Sequence, residues 1–211
     1  MGREFLHVFE EWANTYDNTV MGNDLEYREV FRNYESILQE VVNLAVGKVL
    51  EFGAGTGNLT EKLSAQGYDV TAVEPSKSMR AVAEDKQIDA TFVDGDFLTF
   101  PAIRQIDTIV STYAFHHLTD EEKCLALKQY GKLLSKGGRI VFADTMFENQ
   151  DVYEKTIEEA VVAGYRRLAI DIQTEYYSTI PYLTHIFEEN GFSVTFKRCN
   201  QFVWIIKAIK L

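Results

Sequence analysis

The stretch Val49-Leu-Glu-Phe-Gly-Ala-Gly-Thr-Gly-Asn-Leu-Thr60 passes from a short apolar run into a glycine-rich loop and then into a helical pattern. Glycines at 53, 55 and 57 strip side chains from a strand-to-helix turn. A ligand can then approach backbone amides at a helix N-terminus, where free N–H groups and the helix dipole favour electronegative atoms. Glycine also serves any tight turn, so the trio needs support. Two acids supply it: Glu51, two residues ahead of Gly53, and Glu74, at the end of the next strand pattern. A carboxylate after the second strand suits acceptance from the two hydroxyls of a ribose. The spacing is G-x-G-x-G, with Asn58 standing where the pyrophosphate pattern G-x-G-x-x-G has its last glycine. Glu51 is likewise a poor neighbour for a pyrophosphate and a good one for a ligand carrying a sulfonium and an ammonium group.

On either side of this loop, short β-branched runs alternate with amphipathic stretches: KVLEF, NLTEKLSAQG, YDVTAVE, SKSMRAVAEDK and ATFVD, then IDTIVST and RIVFAD. This alternation predicts βαβ units, hence an α/β fold with a parallel sheet and helices on both faces. A helix is expected from Thr119, an N-cap followed by acids, to Lys136 before Gly137 and Gly138. Further helical patterns cover Asn149 to Leu168 and Pro181 to Glu189. FSVTFKR and QFVWIIKAI, separated by Cys199 and Asn200, read as an antiparallel hairpin closing one edge. The chain is expected to form a single domain: residues 1–46 a helical cover over the front of the sheet, 47–144 the binding core, and 145–211 lid helices and the closing hairpin.

The composition agrees with one folded unit. The 211 residues are 46% hydrophobic, enough for a real core. The net charge of -11 disfavours nucleic acid and anionic membrane surfaces as partners. The acid excess is confined to residues 1–122, with 9 Lys plus Arg against 22 Asp plus Glu; residues 123–211 carry 12 against 10. Cys124 and Cys199 give neither a disulfide framework nor a zinc spacing, and no metal is expected. Acids interrupt every apolar run of MGREFLHVFEEW, so a cytoplasmic protein is expected.

EFGAGTG, VEPSKSM, DGDF, STYAFHHL and LLSKGGRIVFAD occur in an order that resembles the class I S-adenosylmethionine-dependent methyltransferases, particularly small bacterial members. The resemblance covers Gly47 to Asp144. It implies a Rossmann-like, seven-stranded, mostly parallel sheet with an antiparallel last strand, and S-adenosylmethionine as cofactor. It also implies a cofactor site of Glu51, Gly53, Ala54, Gly55, Gly57, Glu74, Pro75, Met79, Asp96, Phe97 and Thr112. In the family the glycine loop cradles the methionine part, the acid matching Glu74 holds the ribose, and the residue matching Asp96 reads the adenine edge. Met79 either packs on adenine or is ordinary helix core. Tyr16, in WANTYD, either closes over the cofactor carboxylate or packs beside Trp12.

Methyl transfer from a sulfonium needs orientation, water exclusion and, for some acceptors, a base. STYAFHHL follows the fourth strand and therefore ends on the binding rim. Tyr113 and Phe115 are candidates to line an acceptor pocket, and His116 and His117 are candidate bases. Asp144, ending the fifth strand, either touches the acceptor or caps a helix. The Tyr-rich segment 149–181 is either a lid or helix surface and core; as a lid, Arg166 and Arg167 would offer an acidic acceptor a cation. The expected function is methyl transfer to a small-molecule acceptor. The alternatives are a non-catalytic module binding S-adenosylmethionine or S-adenosylhomocysteine and, less favoured by the glycine spacing, an NAD-dependent oxidoreductase. Oligomeric state is left open by the sequence.

Overall fold

The structure, a computed structural model, describes Glu10, Ala13 and residues 15–211. Part of the expected cover, residues 1–9 with 11, 12 and 14, lies outside the described residues. The strands are β1 Val49–Phe52, β2 Val70–Val73, β3 Thr91–Val93, β4 Ile106–Thr112, β5 Leu134–Thr145, β6 Phe192–Arg198 and β7 Val203–Lys210. They form one seven-stranded sheet in the order β3-β2-β1-β4-β5-β7-β6. β1 to β5 pair in parallel, while β7 runs antiparallel to both β5 and β6. The order reverses between β1 and β4, which creates the crevice in which such sheets bind ligands.

The longer helices are α1 Tyr34–Leu44, α2 Asn58–Ala65, α3 Lys77–Asp85, α4 Asp120–Leu133, α5 Gln150–Val162, α6 Arg166–Thr174 and α7 Ile180–Glu189, with short helical turns at Tyr16–Asn18, Thr19–Asn23 and Phe115–His117. Two apolar layers hold them to the sheet. Ile37, Leu38, Val41 and Val42 of α1 join Leu59 and Leu63 of α2 and Leu168, Ala169 and Ile172 of α6 in one cluster. Ala126, Leu127 and Tyr130 of α4 meet Leu183, Ile186 and Phe187 of α7 in the other. β1 contributes to both: Val49 faces the first cluster, Leu50 and Phe52 the second. That two-sided burial is why KVLEF reads as a continuous apolar run around its one acid.

Two boundaries differ from expectation. The helix from Thr119 starts as anticipated, with a reciprocal capping box between Thr119 and Glu122, but ends at Leu133. Leu134 turns extended, pairs with Ile106 and is buried; burying this side chain between strands outweighs another half-turn of exposed helix. Residues 135–138 then loop out before Arg139 resumes pairing opposite Thr108. The single helix expected over Asn149 to Leu168 is two, because Gly164 (φ 77°) breaks it between α5 and α6. The break turns α6 back toward the cavity.

Candidate active site

A cavity of about 420 Å³ lies at the C-terminal ends of the strands. Its floor is built by the loops after β1 (Gly53, Gly55), β2 (Glu74, Pro75), β3 (Asp96, Phe97) and β4 (Thr112 to Ala114, His116, His117). Met79 of α3 lines the same side. Tyr16, Tyr27, Val30 and Phe31 from the cover, and Asp171, Thr174, Glu175 and Tyr177 from α6 and the loop after it, complete the enclosure.

The three loop glycines do three different things. A Cβ on Gly53 would lie 2.6 Å from the Ala114 Cβ, so this residue lets the β1 and β4 loops touch. A Cβ on Gly57 would lie 2.7 Å from Ile88 Cδ1, so it serves packing against the α3 side. Gly55 also has positive φ (56°), but its Cβ direction meets nothing within 4 Å. Only Gly55 therefore opens space on the cavity side. Its amide donates to Glu74 Oε2 at 2.8 Å, and Ser76 N donates to Glu74 Oε1 at 2.8 Å. Burial raises the Glu74 pKa against these hydrogen bonds. Asp96 accepts from Leu98 N (2.9 Å) and Thr99 N (2.8 Å) through Oδ1, so it shapes its own turn while lining the cavity.

Glu51, Ala54 and Gly57 do not line the cavity; they stand behind it. The Glu51 carboxyl accepts from Thr60 Oγ1 at 2.7 Å, tying β1 to α2 beneath the loop. Burial pushes its pKa up to about 8, with the Thr60 hydrogen bond opposing and the Glu74 charge adding. Glu51 thus supports the loop from behind the cavity. Asp17 anchors the cover: it accepts from Thr56 Oγ1 (2.7 Å) and Asn58 Nδ2 (3.0 Å) and pairs with Lys86 (3.0 Å). Tyr16 is thereby held over the glycine loop.

The other end of the cavity is built on the histidine pair. His116 Nδ1 lies 2.6 Å from Asp144 Oδ1, and its backbone N–H donates to Asp144 Oδ2 at 2.9 Å. Nε2 faces Glu175 at 3.4 Å, while His117 Nδ1 lies 3.8 Å from the same carboxylate. Tyr177 stacks on His116 with ring centroids 4.8 Å apart and donates to Glu175 at 2.5 Å. Burial disfavours the charged form of both imidazoles. At His116 the Asp144 and Glu175 charges outweigh it and raise the pKa. At His117 burial, reinforced by repulsion from His116 and Lys123, drives the pKa well down. One imidazole is thus biased toward the cation and its neighbour toward the neutral base. His116, His117 and Glu175 also bring potential metal-ligand atoms within 4.8 Å of one another; the pairing of His116 with Glu175 and the contact of the two imidazole rings, centroids 4.2 Å apart, already account for that closeness.

Three expected acceptor residues are placed elsewhere. Phe115 packs into the core against Phe97 and Phe142. Asp144 orients His116 from behind the cavity wall. Arg166 is exposed, and Arg167 pairs with Asp24 and Glu26 on the outer surface, because α6 turns its basic start away and its carboxylates inward. Tyr113 does line the cavity. It adopts a left-handed backbone (φ 54°), held by Tyr113 N to Ala143 O at 2.9 Å, and its buried hydroxyl has no hydrogen-bond partner among the described residues. Strain and an orphaned polar atom at one position are hallmarks of a site built for a ligand.

Sequence reasoning did not single out Tyr27, Val30, Phe31, Thr145, Asp171, Thr174 or Glu175. The one signal available for the last three was the i, i+3 and i+4 spacing of Asp171, Thr174 and Glu175, which puts them on one helix face.

The family model and the sequence relatives give one family, and the solved structures give the same fold. Residues 25–196 match the family described as methyltransferase domain. An uncharacterised methyltransferase of Bacillus cytotoxicus is 57% identical over 211 residues, all of both chains. Among solved structures, magnesium protoporphyrin IX methyltransferase from Synechocystis PCC 6803 with bound SAH is similar at TM-score 0.71 and 16% identity, covering 97% of this chain and 99% of that one. The DhpI–SAH complex is similar at TM-score 0.73 and 18% identity, covering 100% and 97%. With its matched domain, its full-length relative and a sheet whose crevice carries the glycine loop, the chain belongs to the methyltransferase family.

Proposed function

We propose that the protein is an S-adenosylmethionine-dependent methyltransferase acting in line on a small-molecule acceptor. The observation that carries this reading is the enclosed cavity itself, in which Gly55, Glu74, Asp96 and Met79 occupy one end and the histidine pair the other. The cofactor fits these residues: Gly55 leaves its side-chain direction empty, Glu74 presents two acceptor oxygens, and Phe97 and Met79 offer apolar surface for a base. When bound, it would supply a methyl group already activated on a sulfonium.

The protein's own part is placement. Roofing by Tyr16, Tyr27 and Phe31 excludes water, and the rims of β4 and β5 orient an acceptor toward the glycine-loop end. Such alignment is worth up to about 7 to 11 kcal/mol. His117, kept neutral, is placed to accept a proton at Nδ1, while His116, fixed by Asp144, holds Glu175 and Tyr177 in position. A cavity of about 420 Å³ suits a metabolite as the acceptor. Incubating the protein with S-adenosylmethionine and a fractionated metabolite extract, then identifying products by mass, tests this. One metabolite gaining a methyl in step with S-adenosylhomocysteine release is the expected result; release without any methylated small molecule contradicts it.

A further inference from the structure

We propose that the acceptor is a protonated amine, selected by the carboxylates of Asp171 and Glu175; this rests on the methyltransferase reading above. The argument starts from what lines the acceptor end. Asp171 from α6 and Glu175 from its C-cap project into the cavity, and no Lys or Arg lines the cavity anywhere among the described residues. His116, 3.4 Å from Glu175, is shared with Asp144, and the nearest Lys and Arg are turned aside. Arg167 pairs with Asp24 and Glu26 outside, and Lys123 is spent on Ser178, Asp120 and the Tyr176 carbonyl. Aromatic rings fill the space between the acids: Tyr27, whose hydroxyl donates to Asp171, and Tyr177, whose hydroxyl donates to Glu175, with Phe31 and Tyr113 behind them. Carboxylates backed by aromatic faces in a water-poor cavity attract a cation and repel an anion. Burial raises the pKa of both acids against the opposing charge of His116, and an incoming ammonium adds a second cation beside them. The orphaned Tyr113 hydroxyl adds an acceptor for an N–H donor.

The step balances with His117 as proton acceptor. The ammonium gives one proton to the imidazole, the freed nitrogen lone pair forms the N–CH3 bond, and the S–CH3 bond breaks with its electrons leaving on sulfur. The products are a methylated ammonium, neutral S-adenosylhomocysteine and one proton, which passes from His117 to solvent.

A rival use of the same charges is to steady the sulfonium of the cofactor, and the experiment separates the two. Calorimetric titration of the S-adenosylhomocysteine-loaded protein would use 2-phenylethylamine, its N,N,N-trimethyl analogue, 2-phenylethanol and phenylacetate, which share an aryl skeleton. The two cations should bind at least about tenfold tighter than the alcohol and the carboxylate. Asp171→Asn and Glu175→Gln should each cut that selectivity severalfold while leaving the ratio of S-adenosylmethionine to S-adenosylhomocysteine affinity unchanged. Equal or tighter binding of the alcohol or carboxylate overturns the proposal, as does no binding of either cation. Variants that shift the cofactor ratio and spare the selectivity assign the carboxylates to the sulfonium and also overturn it. Failure of the protein to take up S-adenosylhomocysteine at all overturns the underlying methyltransferase reading instead.

Discussion

At the scale of single residues, the glycine loop shows that identical residues in one motif answer to different forces. Gly57→Ala places a methyl 2.7 Å from Ile88 Cδ1 and 3.2 Å from Ala83 Cβ at a backbone φ of 86°. It should lower the melting temperature by roughly 2–12 °C, taking overpacking at about 1–3 kcal/mol and about 2–4 °C per kcal/mol for a chain of this size. Gly55→Ala meets open space, so thermal scans should show only the small cost of a left-handed alanine while cofactor affinity falls at least about tenfold. Equal losses of stability in the two variants would contradict this division. Glu51 makes a second residue-scale prediction. Its folded pKa of about 8 lies above the ordinary value of 4.5, so its contribution to stability is complete below about pH 4.5 and is lost as pH rises through 8. Relative to Glu51→Gln, the unliganded wild-type protein should therefore lose several degrees of melting temperature between pH 6 and pH 9 (about 1.4 kcal/mol per pKa unit). A constant difference between the two proteins across that range would show that the carboxyl is already ionised at pH 6.

At the scale of elements, α6 and the cover decide what the cavity can hold. Strand positions, the capped start of α4, the closing hairpin and the cofactor-side loops were legible in the sequence, because periodicity, caps and glycine spacing are local signals. What was not legible is tertiary. The pull of Leu134 into the sheet depends on Ile106, 28 positions away, and the direction of α6 depends on where the Gly164 break points it. Hence the paired arginines read either as a cation for the pocket or as helix surface, while the carboxylates one and two turns onward line it. Glu51 was legible as important but not as a support, since its role rests on Thr60 reaching back from α2. The cover is tied on through Asp17 and its bonds to Thr56, Asn58 and Lys86. Asp17→Ala should weaken cofactor binding severalfold, mostly through faster dissociation, with little change in global stability; stopped-flow dissociation with an unaltered off-rate would remove the cover from the binding site.

For the whole molecule, the uneven charge acquires a structural address. The acid-rich first part supplies the cofactor-side carboxylates Glu74 and Asp96 and the cover's Asp17, while the nearly balanced second part still turns Asp171 and Glu175 inward and Arg166 and Arg167 out. Net charge therefore says less about the ligand than orientation does. No helix among the described residues is long and apolar enough to cross a membrane. The sheet brings five loops to one rim, and every functional assignment above depends on that rim holding a sulfonium nucleoside. Calorimetric titration of the purified protein with S-adenosylmethionine, S-adenosylhomocysteine and NAD tests this directly. Micromolar binding of both sulfur ligands, lost in Gly55→Ala and with no heat from NAD, is expected; saturable NAD binding with neither sulfur ligand bound would contradict it.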